Sequence, residues 1–164
     1  MNVAAPTVIT PPEFTPKNPA FEARCRDSFA RQPYMELLGA TLEAVRPGYA
    51  EIHLPARAEL RQQHGFVHGG AIASVLDSAA GYAAFSLMPA DATVLTVEYK
   101  LNLLAPGQGA LLVARGRVVK PGRTLTIVQA DAYARADDGR ETLCATSIQT
   151  LMALPGRPDA PRQA

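Results

Sequence analysis

One segment of this sequence constrains the fold more than any other. Residues 68–88 are rich in Ala, Gly and larger apolar residues, and Asp77 is the only side chain between His68 and Met88 that is charged at neutral pH. The segment predicts a helix that is apolar over most of its surface, which is typical of a helix buried in a protein core. The charge at Asp77 and the many small residues argue against a membrane span.

Helical projection divides this segment into two sides. The apolar side carries Ile72, Val75, Leu76, Ala79, Tyr82 and Ala83. The other side carries Gly70, Ser74, Asp77, Ser78 and Gly81. A carboxylate on so apolar a helix is costly to bury unless it is hydrogen-bonded or functional. Asp77 is therefore either a partly exposed acid tied to a neighbouring group or a functional carboxylate.

Shorter elements precede the central helix. Residues 20–38 show helical spacing of apolar residues, with Pro33 ending or restarting the helix. Runs 40–46 and 49–54 follow, separated by a Pro-Gly pair that predicts a hairpin.

Four strand-like runs follow the central helix, at 96–103, 110–119, 123–134 and 141–152. The first alternates apolar and polar residues with a period of two, which indicates a strand with one buried face. Turn residues separate the runs and predict an antiparallel meander. An antiparallel sheet wrapped around the one long buried helix is an α+β arrangement.

Composition sets the domain limits. Five prolines in residues 1–20 predict a flexible or extended leader, and residues 153–164 read as a disordered tail. Residues 21–152 then form one domain, which is long enough to bury a core.

Charge and cysteine content exclude several functions. The formal net charge is +1 with no run of like charges, so we expect neither a nucleic-acid nor a membrane partner. Cys25 and Cys144 are too few for a disulfide scaffold and match no metal motif, so we expect reduced thiols and no metal site. The sequence does not begin with a secretory signal pattern, which favours a cytoplasmic location.

The start of the central helix offers a second functional feature. His68 lies where the helix should begin, and Gly69-Gly70 supplies backbone amides without side chains. The first turn of a helix has unpaired N–H groups, and two glycines let a ligand carbonyl approach them closely. The alternative is a flexible helix start that His68 merely caps.

At these residues the sequence resembles the hot-dog-fold acyl-CoA thioesterases of the phenylacetate-degradation (PaaI-like) type. Their signature is a His-Gly-Gly helix start, an acid nine residues after that His and an amide side chain six residues before it. His68-Gly69-Gly70, Asp77 and Gln62 match all three spacings. The resemblance covers roughly residues 21–152 and implies a hot-dog fold.

The resemblance implies that this chain hydrolyses an acyl-CoA thioester. Asp77 would attack the thioester carbonyl or activate water, and the N–H of Gly69 would stabilise the oxyanion. Gln62 would orient the water or the carbonyl, although Gln63 is an alternative counterpart. His68 would hold the loop and the helix start.

Further roles follow from the same resemblance. Gly70 and Thr96 would lie at the substrate, and Arg123 could meet the phosphates of CoA. No cofactor is expected besides the CoA thioester itself. Family members form homodimers or dimer-of-dimers tetramers, with active sites across the dimer interface.

Two other functions remain open from the sequence. A hot-dog hydratase or dehydratase would use a His and an acid, for which His64 and Asp77 are candidates. However, the prolines expected around that His are missing between Pro55 and Pro89. A non-catalytic acyl-CoA-binding module is the other alternative.

Overall fold

The computed structural model describes residues 13–157 and residue 159. The helices are α1 (Phe21–Ala30), α2 (Pro33–Leu38) and α3 (Gly69–Phe85), with a 3₁₀ helix at Ala58–Leu60. The strands are β1 (Thr41–Arg46), β2 (Tyr49–Pro55), β3 (Ala92–Leu103), β4 (Leu111–Lys120), β5 (Leu125–Arg135) and β6 (Glu141–Pro155). All strand pairings are antiparallel, so the predicted α+β class is confirmed.

The local turn signals also agree with the structure. Pro33 is the first residue of α2, where its missing N–H costs nothing, so it restarts the helix after α1. The Pro-Gly pair joins β1 to β2 as a hairpin. Strand β6 continues to Pro155, past the end of the predicted run at 152, because it pairs with the start of β3. Within 13–20, the described part of the predicted leader, Phe14 packs against the core.

The sheet order corrects the predicted meander. The order is β1-β2-β4-β5-β6-β3, so only β4, β5 and β6 form a meander, while β3 lies beyond β6 at the edge. Reaching β4 from β3 means crossing three strand spacings, about 14 Å. The seven residues 104–110 span up to about 23 Å when extended, so the link is long enough to make this crossing.

Helix α3 lies against the concave face of the sheet and contacts every strand. The six residues of its predicted apolar side are all buried, which confirms the helical projection. On β4, Gly116 permits this close approach, because an added Cβ would collide with the carbonyl oxygen of Ala79 on α3. The core therefore lies between α3 and the sheet, and the other side of α3 is left for the site.

Strand β3 is an edge strand with apolar side chains in solvent. It pairs with β6 on one side only. Leu95, Val97, Tyr99 and Leu103 are each about half exposed. A long edge strand with exposed apolar residues is a template for pairing with another chain.

Candidate active site

The polar side of α3 faces a cavity of about 890 Å³. This volume falls within the range of small-molecule sites. All five residues of the predicted polar side line the cavity: Gly70, Ser74, Asp77, Ser78 and Gly81. The opposite walls come from α1, α2 and the first half of β3.

Asp77 lies in the middle of this wall and is half-buried. Its Oδ1 accepts a 2.7 Å hydrogen bond from the Oγ1 of Thr96 on β3. Burial raises the pKa of Asp77 above its ordinary value, and the Thr96 hydrogen bond offsets part of that rise. A carboxylate with a raised pKa is a better base and nucleophile than one in water, which suits it to attack on a carbonyl group.

The start of α3 leaves one amide free. His68 is the N-cap residue, and its Nδ1 accepts a 2.9 Å hydrogen bond from the N–H of Gly70. As the first helical residue, Gly69 has no intrahelical acceptor for its own N–H, and none is found in the described part of the chain. His68 thus takes up one amide of the Gly-Gly pair and leaves the other as a donor at the positive end of the helix.

A tight loop precedes α3 and carries Gln62. The chain turns between Arg61 and Val67, which form an isolated bridge, and the N–H of Gln62 bonds to the carbonyl of Phe66 at 2.9 Å. Gln62 and Gly69 both line a second cavity of about 390 Å³. Neither cavity is lined by Gln63. Of the two amide candidates, only Gln62 shares a cavity with the free N–H of Gly69.

Within one chain, Asp77 and Gly69 belong to different cavities. Eight residues of helix separate them, a rise of about 12 Å. A reacting carbonyl needs its oxyanion donor and its nucleophile each within about 3 Å. The N–H of Gly69 and the carboxylate of Asp77 therefore do not line the same cavity within one chain.

Two other candidate residues lie apart from Asp77. Arg123 lines a smaller cavity with Lys17, at the C-terminal end of α3. His64 lines neither the Asp77 cavity nor the Gln62 cavity, so the pair required by a hydratase is not assembled within the chain.

Several polar residues at the cavity were not predicted from the sequence. The segment from α1 to α2 supplies Ser28, Gln32 and Tyr34 to its wall. Gln149 on β6 is buried behind α3 and donates a 3.2 Å hydrogen bond to the carbonyl of Leu76, next to Asp77. Gln149 could have been found from the sequence, because it is a polar residue at a position where the alternation of β6 predicts a buried side chain.

Two observations concern metals and membranes. Among residues 13–157 and 159, no group of three potential ligands could hold a metal ion. No helix in that part of the chain has the length and apolarity needed to cross a membrane.

A six-stranded antiparallel sheet wrapped around one long helix is the hot-dog fold. Residues 64–140 match the Thioesterase superfamily. A thioesterase family protein from Silicibacter pomeroyi is 54% identical, with a TM-score of 0.81 over 83% of this chain and 99% of that one. The chain therefore belongs to the Thioesterase superfamily and is a thioester hydrolase.

Two more distant proteins are also similar to this chain. The 1,4-dihydroxy-2-naphthoyl-CoA hydrolase of Listeria monocytogenes is 26% identical over 56% of this chain and 75% of its own. The PaaI protein of the phenylacetic acid degradation operon of E. coli has a TM-score of 0.74 over 85% of this chain and 97% of its own, at 17% identity. That last similarity concerns the fold alone.

Proposed function

We propose that this chain hydrolyses an acyl-CoA thioester to the free acid and CoA, with Asp77 as the reacting carboxylate. The observation that carries the proposal is the position of Asp77 in the wall of the large cavity, half-buried, with Thr96 as its hydrogen-bond donor. Asp77 either attacks the thioester carbon or removes a proton from the attacking water. The reaction needs no cofactor, and CoA thioester chemistry agrees with the expected cytoplasmic location.

The complete site is shared between two copies of the chain. The N–H of Gly69 and the side chain of Gln62 from one subunit hold the carbonyl, and Asp77 of the other subunit reacts with it. The roughly 12 Å of helix between Gly69 and Asp77 supports this arrangement. The half-exposed apolar side chains of the β3 edge support pairing of the two sheets along β3.

The remaining site residues have supporting roles in this proposal. His68 fixes the helix start by accepting from the N–H of Gly70, which keeps the N–H of Gly69 available. Arg123 contacts the phosphates of CoA. Its charge and the neighbouring Lys17 support that role, which requires the CoA to extend toward the turn between β4 and β5.

A subunit-mixing experiment tests the shared site. Gln62→Ala and Asp77→Asn subunits carry different tags and are co-expressed, and the doubly tagged dimer is purified. Each mixed dimer has one doubly damaged site and one intact site. We therefore expect thiol release from acyl-CoA at about half the wild-type rate, while both parent dimers are strongly impaired.

Homodimers of each variant and of the wild type, purified in the same way, are the controls. Mixed-dimer activity no higher than the mean of the two parents would show that each subunit carries its own site. Wild-type protein that releases no thiol from a panel of aliphatic and aromatic acyl-CoAs would overturn the proposed substrate.

A further inference from the structure

The turn of α3 that carries Asp77 is attached to the sheet at two points. On β4, Gly116 lies so close to the carbonyl oxygen of Ala79 that it leaves no room for a side chain. On β6, Gln149 donates a 3.2 Å hydrogen bond from Nε2 to the carbonyl oxygen of Leu76. Strands β4 and β6 flank β5, so the two attachments span about 10 Å of the sheet.

Gln149 is buried, and its hydrogen bonds are incomplete. The residue is 2% exposed, and the two hydrogens of Nε2 go to the Leu76 carbonyl and, over 2.9 Å, to Oγ of Ser147. Its Oε1 has no donor in the part of the chain that the structure describes. Burying such an acceptor costs folding free energy, whereas a methionine would fill a similar volume without a buried polar oxygen. The stability of the core therefore does not explain an amide at this position.

The hydrogen bond from Gln149 acts on the peptide group that precedes Asp77. The carbonyl of Leu76 and the nitrogen of Asp77 belong to one planar peptide unit. A hydrogen bond to that carbonyl therefore restrains the plane from which the Asp77 side chain extends. Because an aspartate side chain has only two torsion angles, the position of its carboxylate follows the backbone closely.

The carboxylate of Asp77 is held from the strand next to β6. Thr96 on β3 donates a 2.7 Å hydrogen bond to Oδ1. In the β3–β6 pairing, Thr96 lies opposite Leu151, which is two residues from Gln149 along β6. The backbone and the carboxylate of Asp77 are thus bonded to one pair of strands, by partners about 7 Å apart along the strand direction.

We propose that Gln149 is a positioning residue for the reaction: its hydrogen bond to the Leu76 carbonyl holds Asp77 where the carboxylate meets both Thr96 and the thioester carbon. This inference rests on the proposed function. Gln149 does not line the Asp77 cavity, so it does not touch the substrate. It acts on kcat through Asp77 and leaves substrate binding unchanged.

Gln149→Met tests this role by separating turnover from stability. The variant keeps the length of the side chain and removes the hydrogen bond to Leu76. We expect kcat for acyl-CoA hydrolysis to fall roughly 3- to 30-fold with KM unchanged, since a 1 Å displacement can cost about 10²-fold and a smaller one follows here. The midpoint of urea unfolding should stay the same or rise, because the unpaired Oε1 is gone.

Ser86→Ala is the matched control. Ser86 is also buried and joins the other end of α3 to the sheet, because its Oγ donates to the carbonyl of Ala83 and accepts from the N–H of Gly48. The variant should unfold at a lower urea concentration, since that N–H loses its acceptor, and should keep the wild-type kcat.

Gln149→Leu covers the case in which methionine does not fit the core. If both Gln149 variants unfolded at lower urea concentrations but kept the wild-type kcat, the role of Gln149 would be structural and the inference would fall.

The carboxyl carbon of Asp77 gives a readout that does not depend on turnover. In protein labelled with carbon-13 at aspartate, its NMR resonance is the one that Asp77→Asn removes. Gln149→Met should move this resonance in the same direction as Thr96→Val, because both variants weaken the contact between Thr96 and the carboxylate. Ser86→Ala should leave the resonance in place. A resonance that does not move in Gln149→Met would overturn the inference.

The same measurements separate this inference from the proposed function. Wild-type thiol release by Asp77→Asn would refute Asp77 as the reacting carboxylate, while a resonance that responds to Gln149→Met would still show that Gln149 positions Asp77. A strongly impaired Asp77→Asn, together with a Gln149→Met variant that matches the wild type in kcat and in the Asp77 resonance, would do the opposite.

Discussion

Two half-buried carboxylates, one on α3 inside the sheet and one on its outer face, differ in how many hydrogen bonds stabilise their negative charge. Asp77 faces the cavity and has one hydrogen-bond donor, Thr96. Glu51 lies on the outer face and accepts from the hydroxyl of Tyr49, from the guanidinium of Arg115 and from the ring of His53. Burial alone would raise the pKa of Glu51, but these three hydrogen bonds outweigh it and hold the pKa at about 2.

This difference distinguishes a structural acid from a reactive one. The three donors around Glu51 stabilise its negative charge so strongly that it is a poor base. Asp77 is partly buried and accepts a hydrogen bond from Thr96 only, so its negative charge is less stabilised and remains available to a substrate. Sites of this kind generally reduce the stability of the fold in exchange for activity.

The largest expected effect is on turnover. Asp77→Asn should lower kcat for acyl-CoA hydrolysis by about 10²- to 10⁴-fold, because it removes the positioned base or nucleophile. The free energy of unfolding at neutral pH should rise, since the fold raises the pKa of Asp77 and thus disfavours its charged form. Thiol release and chemical denaturation measure the two effects.

Glu51→Gln is the matched carboxylate-to-amide control. We expect it to lower the free energy of unfolding by roughly 1–3 kcal/mol, because Arg115 loses a charged partner. Its kcat should stay near the wild-type value. A loss of turnover in Glu51→Gln comparable to that in Asp77→Asn would remove the distinction between the two acids.

A smaller effect is expected from the donor to Asp77. The Thr96 hydroxyl lowers the pKa of Asp77, so Thr96→Val should raise that pKa further. Because the reaction needs the ionised carboxylate, kcat/KM should begin to fall at a higher pH on acidification than in the wild type. The pH profile of kcat/KM reports this group in the free enzyme.

Thr146→Val provides the comparison on the outer face. Thr146 donates a 2.6 Å hydrogen bond to Asp131, so the variant removes a similar interaction far from the cavity. On acidification, kcat/KM of Thr146→Val should begin to fall at the same pH as in the wild type. A Thr96→Val profile that moves to lower pH would contradict the role assigned to Thr96.

The sequence was sufficient to predict the two sides of α3 but not the sheet order. The helical period alone separates Asp77 and its polar neighbours from the buried residues. Gly70, Ser74, Asp77, Ser78 and Gly81 recur at offsets that place them on one side of a helix, and the larger apolar residues fall on the other side. The position of β3 depends on where the link 104–110 leads, and a link of that length reaches several strand positions.

The sequence also did not predict the polar contacts of Tyr82 or the ion pairs on the outer face of the sheet. Tyr82 meets Ser28 and Gln32 across 54 and 50 residues of chain. Arg115 likewise joins Glu51 to Glu141. Such contacts arise from tertiary packing, and neither periodicity nor turn residues indicate which distant polar groups meet. The site itself was predicted without them, from the spacings of His68-Gly69-Gly70, Asp77 and Gln62 and their resemblance to a known family.

The smallest expected effect is at Gly81, and it combines stability with selectivity. Gly81→Ala should raise the free energy of unfolding by about 0.5–1 kcal/mol, since alanine favours the helix and its Cβ meets nothing within 4 Å. The same methyl group narrows the Asp77 cavity one helical turn beyond the carboxylate, so kcat/KM for an aromatic acyl-CoA should fall relative to butyryl-CoA. Gly139 has equally open surroundings but a φ of +83°, so Gly139→Ala should lower stability and leave the substrate ratio unchanged. If Gly81→Ala gained stability with an unchanged substrate ratio, the acyl group would not extend along this turn of α3.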